Sequence, residues 1–185
     1  MVTILRYMRE FSQMILSAFR KRNQRALRKL NDEVLSAAAT ELSKPLFDLA
    51  VLSYALSKIV SKPRFLEREY EGRLRAIEGA LADLVYISND EDERISKSIQ
   101  SAEKSITSLE KEDPRFIINM MTKAKLKMAA TLYAQGMSLG VACEFSGQEK
   151  QEVLDYAGAT MMFDRVKDEK DIKERMKLAR KLIEE

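Results

Sequence analysis

Apolar residues recur every three or four positions along most of this chain, which is the spacing that places side chains on one face of an α-helix. The first stripe consists of Ile4, Met8, Phe11, Ile15 and Phe19, and it can continue through Leu27, Leu30 and Val34. No segment shows the regular alternation of apolar and polar residues that is typical of a β-strand. The sequence therefore predicts an all-α protein, a multi-helix bundle of about seven or eight helices.

A central apolar helix is predicted by the segment with the fewest charges, residues 45–57. Ser43 is a suitable N-cap and Pro45 suits a first turn, so this helix should begin at Leu46 and run to about Val60. The segment is too short to span a bilayer. We therefore expect it to lie buried at the centre of the bundle.

Two longer stripes predict an antiparallel helical hairpin. After a second Ser-Lys-Pro start at Ser61, the first stripe consists of Leu66, Tyr70, Leu74, Ile77, Leu81 and Leu84. The second consists of Ile95, Ile99, Ala102, Ile106 and Leu109. The turn between them, at Ser88 and Asn89, is short, and a short turn between amphipathic helices favours antiparallel packing.

A shift in composition near Asp113 divides the chain into an N-terminal helical bundle, residues 1–113, and a C-terminal module, residues 114–185. Pro114 opens a new helix that extends to Gln135 and that can pack against both parts. A last helix bears Ile172, Met176, Ala179 and Ile183. Because this helix and the second hairpin stripe can each pair within or between chains, the sequence leaves both a monomer and a homodimer open.

Residues 128–158 show the pattern of a helix, a turn and a second helix. An apolar helix ends at Gly136, a short helix covers Ser138–Phe145, Gly147 lies in the turn, and Lys150–Tyr156 forms the next helix. In helix-turn-helix proteins that bind DNA, this second helix lies in the major groove.

The charge of that second helix opposes contact with DNA. Its carboxylates, which phosphates repel, belong to Glu149, Glu152 and Asp155. Only Lys150 and Gln151 remain as candidate groove contacts. The pattern of the segment therefore indicates DNA binding, while its charge argues against it.

Basic charge gathers after the first stripe. The whole chain carries 32 Lys and Arg against 29 Asp and Glu, a net charge of +3, but residues 1–31 alone carry +7. Six cations follow closely on one another: Arg20, Lys21, Arg22, Arg25, Arg28 and Lys29. On a continuous helix they would extend over about 15 Å. Such a row can follow a phosphate backbone and give salt-sensitive affinity that does not depend on base sequence, so DNA is a candidate partner.

The same six cations also suit three roles that need no nucleic acid. They can form a solvated face, or they can match the acidic segment 63–113, whose net charge is −5. Binding to an anionic membrane surface is the least favoured role, because Phe11, Ile15 and Phe19, which precede the cations on an amphipathic helix, are better assigned to the core.

The composition disfavours catalysis. The chain has no histidine, which removes the commonest general base and metal ligand. It has neither a Gly-rich phosphate-binding loop nor carboxylates spaced for a metal. Its single cysteine, Cys143, fits a buried structural thiol and excludes an intramolecular disulfide, which favours the cytoplasm. We expect a non-enzymatic cytoplasmic protein with no catalytic residue, no cofactor and no metal.

Methionine is concentrated in the C-terminal half, where seven of the ten lie between Met120 and Met176. Methionine fills irregular cores and also suits adaptable binding surfaces. Three adjacent apolar residues in a short linker are the candidate contacts with a protein partner: Met161, Met162 and Phe163. Packing against the protein's own helices is the simpler alternative.

Several residues of the 128–158 segment fill positions of a known pattern. Ala142 and Cys143 fill the paired small positions of a helix-turn-helix, and Val153 and Tyr156 fill apolar positions of its second helix. The rest of the matching run is Leu132, Tyr133, Gly136, Ser138, Leu139, Gly140 and Gly147. In that run, together with Ala142, the segment resembles the helix-turn-helix of small prokaryotic antitoxin-like proteins, and the stretch also resembles uncharacterised archaeal helical proteins that end in such a module. Gln148 departs from the pattern, since an apolar residue normally anchors the turn.

The resemblance implies a regulatory or antitoxin-type protein and does not extend to the N-terminal bundle. Two hypotheses result. The first is a non-enzymatic regulator that contacts nucleic acid through the six clustered cations together with Lys150 and Gln151. The second is a helical adaptor whose helix-turn-helix no longer contacts DNA and which binds another protein.

Overall fold

The chain is built from α-helices, and the all-α multi-helix class is confirmed. The computed structural model describes residues 2–86, 92–111 and 120–165, together with positions 176, 177 and 180. Within these ranges the helices are α1 Val2–Arg20, α2 Gln24–Thr40, α3 Lys44–Val60, α4 Glu71–Val85, α5 Asp92–Lys111, α6 Met120–Ala134, α7 Leu139–Ser146, α8 Lys150–Ala159 and α9 Met162–Arg165. No β-strand occurs in the described part of the chain.

The central apolar helix is confirmed as α3. Ser43 Oγ accepts a hydrogen bond from the backbone N–H of Leu46, and Pro45 lies in the first turn, as expected. The helix begins at Lys44, two residues before the expected start at Leu46, because the residue after the N-cap is the first of the helix. Twelve of its seventeen residues are buried, a larger share than one face of a helix provides. This helix packs against α1, α2, α5, α6 and α7.

Two buried polar side chains fix α2 against α3. Asn31 Nδ2 donates to the carbonyl oxygen of Ala50 over 2.8 Å, and Ser53 Oγ donates to the carbonyl oxygen of Leu27 over 2.9 Å. Asn31 Nδ2 also lies 3.2 Å from the sulfur of Met128 on α6. A buried polar group without a partner is costly, so these contacts favour one register of the helices.

The first apolar stripe does not form one continuous helix, and that expectation was wrong. α1 ends at Arg20, and α2 begins at Gln24 after a three-residue turn. Arg22 has a positive φ of 52°, and the N–H of Asn23 bonds the carbonyl oxygen of Ala18 over 2.9 Å, which is a helix-ending arrangement. Asn23 Oδ1 then accepts from the N–H of Ala26 and caps α2.

The helix expected from Leu66 begins later, at Glu71. Two short 3₁₀ turns, Pro63–Leu66 and Arg68–Tyr70, precede it. Phe65 is buried with its ring against that of Tyr70, at a centroid distance of 5.6 Å.

α4 packs against α5. The antiparallel arrangement stays a prediction, because the turn at Ser88 and Asn89 lies outside the described residues. The helix start at Pro114 and most of the last helix, residues 172–183, also lie outside the described residues and stay predictions.

Met161, Met162 and Phe163 were expected in a linker. Met161 precedes the one-turn helix α9, and Met162 and Phe163 lie within that helix.

α6 belongs to two hydrophobic cores. One face contributes to the main core with five residues: Met120, Met121, Ala124, Met128 and Leu132. Ala129 and Ala130 belong to a second, smaller core with residues of α7, α8 and α9: Ala142, Val153, Ala157 and Met162. The proposed boundary near Asp113 stays a prediction, and packing of this helix against both sides is observed.

α7 contacts α3 within the main core, to which Phe47 and Phe145 both belong. The ring of Phe47 lies 5.9 Å from that of Phe145, centroid to centroid. Lys44 Nζ, which pairs with Asp48 at 2.9 Å, also donates to the carbonyl oxygen of Phe145 over 3.0 Å. A cation at the carboxyl end of a helix stabilises the carbonyl groups there.

We expect Phe47→Ala to lower the free energy of unfolding by about 3–5 kcal/mol, because it removes a fully buried ring and leaves a cavity. Urea denaturation followed by circular dichroism measures the change. Tyr86→Ala is the control, because that side chain is 80% exposed and its loss should change stability by less than about 0.5 kcal/mol. Equal effects of the two variants would contradict the packing described.

Candidate nucleic-acid and partner-binding surfaces

The six clustered cations lie around the α1–α2 turn, and they do not share one surface. Arg22 folds back on its own helix: its guanidinium lies 4.9 Å from the ring centroid of Phe19 and donates to the carbonyl oxygen of Phe19 over 3.4 Å. Arg20 Nε lies 3.4 Å from a carboxylate oxygen of Glu78 on α4, and Arg22 lies 4.0 Å from the other. Arg20 and Arg22 therefore help to join α1 and α4.

The remaining cations of the turn are exposed. Lys29 pairs with Glu33 one helical turn later, at 3.4 Å, with 81% of its side chain exposed. Lys21 and Arg25 make no ion pair with any residue that the structure describes. An open groove of about 510 Å³ between α1 and α2 lies beside them and includes Lys21 and Lys29 in its lining. These three side chains are available to a ligand outside the protein.

α7 and α8 are joined by a three-residue turn. Ser138 caps α7, and Gly147 at its carboxyl end has a φ of +66°, in the left-handed region that favours glycine. The side chains and backbone of Glu149 and Glu152 form a reciprocal capping box at the start of α8. Residues 128–158 thus contain α7, a short turn and α8, and the likeness of this segment to a DNA-binding helix-turn-helix stays a prediction.

Gln148, the residue that departs from the helix-turn-helix pattern, is half-buried in this turn. Its backbone N–H donates to Ser146 Oγ over 3.3 Å. Ser146 is buried, and its hydroxyl donates to the carbonyl oxygen of Ala142 over 2.8 Å. A hydrogen-bonded serine thus holds the turn at the point where an apolar anchor is usual.

The outer face of α8 is acidic. Lys150 and Gln151 are both exposed, as a contact with nucleic acid requires, but the side-chain amide of Gln151 donates to Asp155 over 2.7 Å. Glu149 and Glu152 are exposed on the same helix start. The structure brings Lys150 and Gln151 together with carboxylates, and the electrostatics of α8 disfavour a groove contact.

Cys143 is half-buried and packs against the second core. Burial raises the pKa of its thiol, and the nearby charge of Lys150 opposes this rise. Since the thiolate is the reactive form, a raised pKa fits a structural cysteine.

The three adjacent apolar residues near α9 divide between core and surface. Met162 is buried in the second core, with its sulfur 3.7 Å from the hydroxyl of Thr131. Met161 is 67% exposed, and Phe163 is 52% exposed with its ring edge against Tyr133. The candidate partner surface therefore consists of Met161 and Phe163.

A second group of cations comes together only in the folded chain. We call Arg28, Lys58, Lys127 and Arg165 the four-cation cluster. Lys127 Nζ and Lys58 Nζ lie 4.3 Å and 5.2 Å from the ring centroid of Tyr54. Burial lowers the pKa of Lys127, the charges of Lys58, Arg28 and Arg165 lower it further, and Asp32 alone opposes them. The positions are far apart in the chain, so no sequence pattern reveals the cluster.

Comparisons of the chain with protein-family models, with curated proteins and with solved structures found no match. Among the described residues, no group of three or more His, Cys, Asp or Glu side chains is placed to hold a metal ion. None of the helices described is both long and apolar enough to cross a membrane.

We expect Gly147→Ala to lower the free energy of unfolding by about 1–2 kcal/mol, because an L-residue is strained at a positive φ. Gly158→Ala is the matched control: it lies within α8 with open space around it and should stabilise the helix by about 1 kcal/mol. Thermal unfolding of both variants measures the difference, and a stabilising Gly147→Ala would contradict the turn described.

Proposed function

We propose that the protein is a non-enzymatic regulator that binds nucleic acid through phosphate contacts at the α1–α2 turn. The observation that carries this proposal is the exposure of Lys21 and Arg25, which make no ion pair with any described residue, beside Lys29. Cations placed in this way neutralise phosphates and release bound counterions, which is the main source of affinity that does not depend on base sequence.

The α7–turn–α8 unit supports a regulatory role by its likeness in residues and layout to a helix-turn-helix, but it contributes little charge to binding. Lys150 is the cation that this unit offers at the start of α8, and it stands among the carboxylates of Glu149, Glu152 and Asp155. In this proposal the affinity for nucleic acid comes from the α1–α2 turn. Lys150 and Gln151 make only a secondary contact with the nucleic acid. The protein therefore binds duplexes of different sequence with similar affinity.

Fluorescence anisotropy of a labelled mixed-sequence duplex tests the proposal, with titrations at about 50 mM and 200 mM salt. We expect Lys21→Gln/Arg25→Gln to weaken binding and to reduce the slope of log K against log salt by about 1.8, since each lost phosphate contact removes about 0.9. The matched control is Arg75→Gln/Lys97→Gln, which removes the same charge from exposed positions of α4 and α5.

The control variant should bind like the wild type. Absence of binding at the lower salt concentration would refute the proposal. An equal loss in both double variants would also refute it, because the effect would then reflect net charge rather than the α1–α2 turn.

A helical adaptor is the second candidate function, and the exposure of Met161 and Phe163 favours it. Met161 has a positive φ of 48°, a conformation that costs energy in a residue other than glycine, and it presents its side chain to solvent. Leu154 on α8 is also exposed. Adjacent exposed apolar side chains are typical of surfaces that bind other proteins.

A protein partner bound at this apolar surface should be lost with Met161→Ser/Phe163→Ser and kept with Lys21→Gln/Arg25→Gln. Its affinity should change little between the two salt concentrations, because apolar burial is not screened by ions. Affinity capture of the partner with the wild type and with both variants measures its retention. Titration of the purified partner at both salt concentrations then measures the change in affinity. A partner that both variants retain would exclude Met161 and Phe163 as its binding site.

A further inference from the structure

Lys58 and Lys127 come from different helices and lie against the same ring, with their ammonium groups 5.2 Å and 4.3 Å from the centroid of Tyr54. Arg28 comes from α2, Lys58 from α3, Lys127 from α6 and Arg165 from α9. Electrostatic interactions link Lys127 to each of the other three. No ion pair among the described residues involves any of the four, so their mutual repulsion is not relieved by a direct carboxylate contact.

Asp32 is the acidic residue that interacts with this cluster, and it does so from a distance longer than an ion pair. With Asp32 counted, the group carries a net charge of +3. Lys127 is half-buried, so its ammonium group has lost part of its hydration. Cation–π contacts with Tyr54 offset only part of that loss, since one ring serves both Lys58 and Lys127.

Two tyrosines complete the group. Tyr54 lies under the two ammonium groups, and Tyr156 of α8 interacts electrostatically with both Tyr54 and Arg165. Neither hydroxyl makes a hydrogen bond with another residue in the described ranges. Each therefore retains an O–H donor for an anionic oxygen.

We propose that the four-cation cluster, together with Tyr54 and Tyr156, binds a phosphate group at the seam between the N-terminal helices and the α6–α9 segment. The two Arg side chains present forked N–H donors that match phosphate oxygens, and the two Lys side chains supply compact positive charge. A bound dianion removes the repulsion among the cations and replaces the hydration that Lys127 has lost. Because its ligands come from α2, α3, α6, α8 and α9, the bound group stabilises the packing of these helices on one another.

This site does not include Lys21, Arg25 or Lys29, the residues that carry the proposed function, and it does not depend on that function. Its phosphate has two sources: a small phosphorylated compound, or the backbone of a nucleic acid. The shared chemistry is the phosphate oxyanion, and separate arms of the experiment identify its source.

Thermal unfolding followed by circular dichroism tests the site, with inorganic pyrophosphate as the probe and sodium chloride adjusted to hold the ionic strength constant. The wild-type midpoint should rise saturably, by about 5 to 10 °C at a hundredfold excess over the dissociation constant. Lys127→Met and Lys58→Met should each abolish most of this rise. Without pyrophosphate, Lys127→Met should unfold at the same temperature as the wild type or higher, because a partly desolvated charge is removed.

Lys123→Met is the matched control, since it removes an exposed lysine from the same helix. It should retain the full rise. A second arm replaces pyrophosphate with a short duplex. If only the duplex raises the midpoint, and the rise depends on Lys127, the phosphate belongs to a nucleic acid. If pyrophosphate raises the midpoint, the phosphate belongs to a small compound. The proposal is overturned if neither probe raises the midpoint, or if Lys127→Met and Lys123→Met respond equally.

Discussion

A helix with almost no polar face, such as α3, is stable in water only when other helices cover it from several directions. α1, α2, α5, α6 and α7 provide that cover. The requirement explains why α1, α2 and α5 are amphipathic, with one apolar face that packs in the core. The polar contacts of Asn31 and Ser53 give the mostly apolar interface between α2 and α3 a defined register.

The sequence predicts this part of the fold well because the signals are local. Ser43 and Pro45 mark the start of α3, and the low charge of residues 45–57 marks its burial. The α1–α2 turn was not predicted, because the apolar residues on either side of it keep helical spacing. The periodicity alone therefore indicates one continuous helix. Asn23, a good N-cap, was the signal that identifies it, and Arg22 in a left-handed conformation has no sequence signature comparable to glycine.

The candidate surfaces were predicted less completely, because proximity in the chain differs from proximity in the fold. The six clustered cations separate into two that contact Glu78, one that joins the four-cation cluster, and three that face solvent. The cluster itself depends on how α6 is placed against α2 and α3, which the buried contacts of Asn31 help to determine. The charge of α8, in contrast, was evident from its sequence, since the acidic residues of an exposed helix stay exposed.

The place of α6 in both cores has a consequence for the growing chain on the ribosome. Asn31 and Met128, which touch in the finished protein, are 97 residues apart. At the usual rates of translation, Met128 is added about 5 to 20 s after Asn31. Until α6 has been made and has emerged, the apolar surface that α2, α3 and α5 provide for it remains uncovered. A nascent chain of this protein therefore exposes an adhesive surface that a chaperone can shield, and its folding is completed only after α6 has emerged.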